Sequence, residues 1–270
     1  RRMCQALLIL MASTSCSPDY GIVGEIGTEI VYVEVPVESE NDDRIWVDSF
    51  FQPSSANGVD ILWVIDMSGS MRDNEDKLLA GIEAMMKSLP PTGWRLNMIS
   101  NSPNAVTQDQ QFPLVPGDTF QDAEDMYDNI VAGTLEQGFD SLEEYTSSNS
   151  YAPTWMRYDA ALLVVFVSDE EDQSNMSVAG FTAWYSNFRQ NVYLASIVNV
   201  EPADSQCPQN NALFIGYNSM EATRYFGGVI VDICSDDWSA GVTDASVQVE
   251  PYESYELSHT PSDRDSIRVF

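Results

Sequence analysis

The chain has 270 residues, 44% of them hydrophobic, which is enough for one large domain with a real core or for two small ones. Its formal net charge of −30, from 42 Asp and Glu against 12 Lys and Arg, excludes nucleic acid as a partner, because no basic stripe exists to meet a phosphate backbone. Acidity of this degree suits a surface protein in a cation-rich medium, where carboxylates recruit divalent ions.

Arg1 and Arg2 precede an apolar run from Cys4 to Ala12 that is too short to span a bilayer and long enough for a signal-peptide core. Ser13, Thr14 and Ser15 then lead to Cys16, an order similar to the lipobox of bacterial lipoproteins, with Ser13 where Leu is usual. Residues 1–16 therefore read as a signal peptide, with lipid attachment at Cys16 and ordinary cleavage nearby both open. Either outcome exports the protein to the cell surface, the periplasm or the extracellular space, and a lipid anchor would be its sole link to a membrane. Residues 17–50 read as an extended tether. Within it, Glu29 to Glu38 alternates acidic and apolar residues, which predicts an edge strand that Pro36 keeps out of a sheet centre.

From residue 51 to 240 strand and helix patterns alternate. Val59–Ile65 is an apolar run interrupted only by Asp60, the mark of a strand buried on both faces. Leu78, Leu79, Ile82, Met85, Met86 and Leu89 recur at helical spacing, and Pro90-Pro91 ends that helix. Trp94–Ile99 predicts the next strand, followed by a long polar loop. Phe139, Leu142 and Tyr145 predict a helix beginning just after Thr134. Ala160–Val167 is a second strongly buried strand, then come a helix near Phe181–Arg189, a strand over Asn191–Val200, a helix near Ser219–Phe226 and a strand over Val229–Ile233. The alternation implies an α/β domain with a doubly wound, mostly parallel sheet, helices on both faces and right-handed crossovers. Residues 241–270 read as a C-terminal extension whose end has the pattern of a further β element.

Of the four cysteines, Cys4 lies in the apolar run and Cys16 at the lipobox-like site, which leaves Cys207 and Cys234. Two cysteines in the folded body of an exported protein predict a disulfide, two buried thiols being the alternative. Closing that loop of about 27 residues contributes about 3.5 kcal/mol in the chain-entropy account.

The first buried strand runs directly into Asp66-Met67-Ser68-Gly69-Ser70. Three short oxygen-bearing side chains, Asp66, Ser68 and Ser70, can converge there on one point, with Gly69 expected to let the backbone turn tightly between the hydroxyls. Such hard donors suit Mg²⁺, Ca²⁺ or Mn²⁺ and not zinc or copper. The alternative is a strand-to-helix turn in which Ser70 caps the next helix. The second buried strand ends in Ser168-Asp169-Glu170-Glu171-Asp172, which places Asp169 at an equivalent position; Glu171 and Asp172 read as a solvated acidic loop. Asp73, Asn74 and Asp76 offer either an adjacent Ca²⁺ site or a helix N-terminus favoured by negative charge.

Asp66, Ser68 and Ser70, then Thr134, then Asp169 follow in an order that resembles the metal-ion-dependent adhesion site of the von Willebrand factor type A (vWA) family, over residues 55–240. Thr134 takes the place of the family's second-loop threonine, with Thr119 as the other candidate, and Asp169 that of its third-loop aspartate. Glu170 stands where the family more often has Gly. The resemblance implies that Ser68 and Ser70 bind the cation directly, Thr134 directly or through water, and that Asp66 and Asp169 act through water or by orienting the others. It implies a protein or polymer ligand that offers a carboxylate to the metal, and so a divalent-cation-dependent adhesion module. The alternative is a structural subunit of a larger surface or particle assembly in which the metal turn only stabilises. Catalysis is not expected. The single histidine, His259, lies in the tail, no Gly-x-Ser-x-Gly elbow exists, and Ser68 stands where an aspartyl-phosphate enzyme needs its second Asp.

Overall fold

The computed structural model describes residues 20–26, 29–34, 58–202, 204–207 and 214–248. The signal-peptide segment, Cys16, Thr14, His259 and the expected terminal β element lie outside the described residues. The chain divides into two units. In the first, within the segment expected as a tether, β1 (Tyr20–Ile26) and β2 (Glu29–Glu34) pair as an antiparallel ribbon, Tyr20 opposite Glu34. Glu29 to Glu34 is thus a paired strand of a two-stranded sheet.

The second unit runs from Ser54 to Pro251. Its strands are β3 (Val59–Ile65), β4 (Trp94–Ser100), β5 (Ala161–Ser168), β6 (Val192–Val198) and β7 (Val229–Asp232). They form one five-stranded sheet in the order β4-β3-β5-β6-β7, parallel throughout. Val59 lies opposite both Trp94 and Ala161, so the two most apolar runs of the sequence are in-register neighbours. The helices are α1 (Glu75–Ser88), α2 (Pro103–Val106), α3 (Phe120–Asp128), α4 (Gly138–Ser148), α5 (Ala152–Trp155), α6 (Val178–Phe188), α7 (Tyr217–Tyr225) and α8 (Ser239–Val247).

The period-2 geometry of a strand divides β3 between two cores. Ile61, Trp63 and Ile65 pack with Leu78, Ile82 and Met85 of α1, Ala123 and Met126 of α3, and Val242 and Ala245 of α8. Leu62 and Val64 face the other way, against Phe139, Leu142 and Tyr145 of α4 and Phe181 and Tyr185 of α6. Every residue of β3 is buried, which is why the strand is apolar at every position but the ion-paired Asp60.

Three stretches differ from the sequence expectation. The polar loop after β4 holds α2 and α3, and Leu114 bridges antiparallel to Leu96 at the sheet edge. Helix α4 begins at Gly138, because Gln137 N–H donates to the Asn101 carbonyl and Glu136 is tied to Gln173, keeping the residues after Thr134 in a loop. Finally, α8 lies against α1, with Val242 and Trp238 close to Gly81. No helix among the described residues is long and apolar enough to cross a membrane.

Candidate metal centre

The strand order fixes where a ligand can enter. From β3 the chain goes through α1 to β4 on one side, then returns across to β5 on the other. The helix after β3 covers one face and the helix after β5 the other. The loops leaving β3 and β5 therefore diverge, and a crevice opens at the carboxyl ends of these two strands. Asp66 is the first residue after β3, and Asp169 the first after β5.

Asp66 is buried, at 1% exposure, and is held at several points. Its N–H donates to the Val167 carbonyl across the crevice at 2.8 Å. Its Oδ1 accepts from the Ser68 N–H at 2.8 Å and its Oδ2 from the Ser168 hydroxyl at 2.8 Å. Those two donors fix the carboxylate in orientation. Ser68 precedes a 3₁₀ helix (Gly69–Asn74) that leads into α1. The Ser68 and Ser70 hydroxyls are 2.8 Å apart, and the Ser70 hydroxyl donates to Asp169 Oδ1 at 3.1 Å. Asp66, Ser68, Ser70 and Asp169 are thus one connected cluster, and Ser70 makes no cap to a helix N–H; the Ncap position of the 3₁₀ helix belongs to Ser68, without a side-chain bond.

Thr134 stands apart. It is exposed and makes no side-chain hydrogen bond among the described residues. Its loop is nevertheless packed on Ser102, the residue that leads from β4 into α2, since a Cβ on Gly133 would lie 2.0 Å from the Ser102 Cβ. The Leu135 N–H also donates to the Ser102 hydroxyl at 3.4 Å. Thr119 is committed elsewhere. It is the Ncap of α3 in a capping box with Asp122, whose carboxylate accepts from the Thr119 N–H and hydroxyl, each at 2.7 Å.

Gly69 corrects another expectation. Its φ is not positive and a Cβ there would meet nothing within 4 Å, so the turn does not need glycine. Asp73 and Asn74 lie in the 3₁₀ helix while Glu75 and Asp76 occupy the first turn of α1, where negative charge favours a helix N-terminus.

The acidic run after β5 is not a solvated loop. Glu171 accepts from the Tyr217 and Asn218 N–H groups, both at 3.0 Å, and so caps α7. Asp172 accepts from the Phe139 N–H of α4 at 3.3 Å and from Ser174 N–H at 2.9 Å. These two carboxylates tie the metal loop to two helix N-termini, where orphan donors and the helix dipole favour them. Burial raises both above the usual carboxylate range, against the pull of those hydrogen bonds.

The structure also brings in Glu136, which no local sequence pattern marks. Burial, a hydrogen bond shared with the Glu170 carboxyl and the negative charges of Glu170, Asp66 and Asp169 push its carboxyl up to about 7. Asp169 is likewise raised, mainly by burial and further by the charges of Asp66 and Glu170, with the Ser70 hydroxyl opposing. Four carboxyl groups, those of Asp66, Glu136, Asp169 and Glu170, therefore act on one another, and among the described residues no Lys or Arg ion pair reaches any of them. Like charges so placed repel unless protons or a cation intervene. The donors are hard oxygens, the set that Mg²⁺, Ca²⁺ and Mn²⁺ prefer. The residues present fit such an ion.

Cys207 and Cys234 form a disulfide, with Cα atoms 5.0 Å apart. Asp232 lies beside the two sulfurs, but bonded sulfurs are not thiolate ligands, so this trio is a covalent clamp between the loops after β6 and β7.

Fold and site together define a doubly wound α/β domain with an oxygen-donor cluster at its switch point. Neither a family model nor a curated protein matches the sequence. Similar solved structures include proximal thread matrix protein 1 from the mussel byssus with a zinc-occupied MIDAS motif, at 15% identity and a TM-score of 0.45, covering 73% of this chain and 48% of that one. The ArnB paralog VWA2 from Sulfolobus acidocaldarius is similar at 13% identity and a TM-score of 0.39, covering 73% of this chain and 47% of that one. The pilus adhesin SpaC from Lactobacillus rhamnosus GG, in an open conformation, is similar at 12% identity and a TM-score of 0.42, covering 73% and 30%. This chain thus spans about half the length of the first two, or less. The likeness to these solved structures is one of fold alone.

Proposed function

We propose that the Ser54–Pro251 unit is a vWA-type binding module that takes a divalent cation at its switch point and, through it, a carboxylate of a protein or polymer ligand. The observation that supports this best is the convergence of Asp66, Ser68, Ser70 and Asp169 on one cluster at the carboxyl ends of adjacent parallel strands. Ser68 and Ser70 would hold the ion by neutral oxygens, while Asp66, which accepts from the Ser68 N–H, and Asp169, which accepts from the Ser70 hydroxyl, would act through water or by orienting these donors. Thr134 joins from its anchored loop when ligand is engaged. Mg²⁺ is the favoured ion, with Ca²⁺ or Mn²⁺ as substitutes. Such an ion, held by neutral donors, supplies an electron-poor centre with an open position for a carboxylate. The protein acts by binding and not by catalysis, and it works outside the cytoplasm, carried there by its N-terminal signal with or without a lipid on Cys16.

The test is a pull-down from the native surface fraction in Mg²⁺ and in a chelator. An adhesion module loses its partner when the ion is removed. If the partner stays bound and only thermal stability falls, the domain is a structural subunit with a stabilising metal turn.

A further inference from the structure

The loop that carries Asp169 has little regular structure of its own, so something outside it must set the position of that aspartate. The backbone carbonyl of Asp169 accepts a hydrogen bond from the side-chain amide of Asn199, which follows β6. Asn199 is buried, at 4% exposure. The same Nδ2 donates to the Phe214 carbonyl at 3.3 Å, and the Asn199 carbonyl accepts from the Gly216 N–H at 3.0 Å. Two carbonyls on one side require the amide to present its NH₂ there, which fixes its orientation. On the other side, Asn199 Oδ1 lies 2.9 Å from the Cys207 sulfur and 3.8 Å from the Cys234 sulfur. The disulfide is itself held by Asp232, which accepts from the Cys234 N–H at 3.0 Å and from the Gln206 N–H at 2.5 Å.

Resting on the metal reading above, we propose that Asn199 is a positioning residue for the cation site. Backed by the Cys207–Cys234 disulfide, it locks the Asp169 carbonyl and so holds the Asp169 carboxylate against Ser70. Its amide never needs to touch the ion. Only asparagine suits the position. An aspartate has the same shape, yet it would set a carboxylate oxygen against two carbonyl oxygens, and serine is too short to reach both. Outer partners that orient metal ligands are worth roughly 10- to 100-fold in affinity, and this bond is of that kind.

The experiment is Mg²⁺ titration calorimetry on the full chain, wild type beside Asn199→Asp, Asn199→Ser, Asp169→Ala and the Asn199→Ser/Asp169→Ala double variant, with thermal unfolding of each in chelator. Asn199→Ser, which adds no charge, carries the test if Asn199→Asp does not fold. The expected result is a loss of affinity of roughly tenfold or more for either Asn199 variant. In the Asp169→Ala background the further loss should vanish, because Asn199 acts through Asp169. A purely structural Asn199 would lower the unfolding temperature without this non-additivity. Wild type that binds Mg²⁺ together with an Asn199→Ser variant that binds equally well, or whose loss persists unchanged without Asp169, would overturn the positioning role alone. Wild type that binds no Mg²⁺ would overturn the metal reading and this inference with it.

Discussion

Asp60 is the sharpest test of what holds the sheet together. It sits at the amino end of β3 with no solvent exposure. Its Oδ1 accepts from Arg157 Nε at 2.9 Å and forms an ion pair with the same guanidinium at 2.9 Å, while Oδ2 accepts from the Arg157 N–H at 2.6 Å. Arg189 approaches Oδ2 at 2.9 Å, with a side chain 4% exposed. Replacing Asp60 by Ala would leave the Arg189 guanidinium buried with the Ala160 carbonyl at 3.2 Å and the face of Phe188, but no carboxylate, beside it. Breaking a buried pair from one side costs about 3–5 kcal/mol, because the charge left behind is uncompensated. At roughly 2–4 °C per kcal/mol for a unit of this size, the unfolding temperature should fall by about 6–20 °C. Asp60 and Asp66 are six residues apart along β3, about 20 Å at strand rise, so cation binding by the folded variant should be unchanged. Differential scanning calorimetry in chelator, followed by Mg²⁺ titration below the transition, measures both. A loss under about 1 kcal/mol would refute the claim that this ion cluster is desolvated and structural.

Replacing both Cys207 and Cys234 by Ser should lower stability by about 3.5 kcal/mol in denaturant titration, and an unchanged midpoint would show that the bridge closes no strained or entropically costly loop. Gly69→Ala should leave stability within about 0.5 kcal/mol and cation affinity unaltered, since φ is ordinary and the Cβ meets open space. Gly133→Ala, by contrast, drives a methyl into Ser102 and should cost about 1–3 kcal/mol as the Thr134 loop is pushed off Ser102. If Gly133→Ala is silent in thermal unfolding, that loop is not anchored there.

The parts of the fold that show in the sequence are those whose burial is two-sided. β3 and β5 are apolar at nearly every position because helices cover both faces, and α1 carries its stripe because one face alone is buried. Helix α3 was hidden because only Ala123 and Met126 of its nine residues are buried. Its signal was the Thr119-x-x-Asp122 capping box, weighed instead as a metal ligand. Helix α8 buries Val242, Ala245 and Ser246, small residues that leave hardly any periodic contrast. In the site, Asp66, Ser68 and Ser70 are adjacent in sequence and Asp169 ends a visible strand, so local pattern sufficed to bring them forward. Glu136 and Asn199 reach the site only through the packing of distant segments, and no local pattern marks either. Glu171 and Asp172 read as solvated in the sequence because a helix-capping carboxylate and a solvated one look alike until the helix N-termini of α7 and α4 are placed beside them.

Calorimetric titration of Mg²⁺ into the wild-type chain and into Asp66→Ala, both shown folded by circular dichroism, decides whether the turn after β3 holds a cation. Saturable binding of one ion is expected for the wild type and none for the variant, which lacks the carboxylate that fixes Ser68 and faces Ser168. Equal heats for the two proteins would mean that the Asp66–Ser70 turn is a strand-to-helix connection and not a cation site.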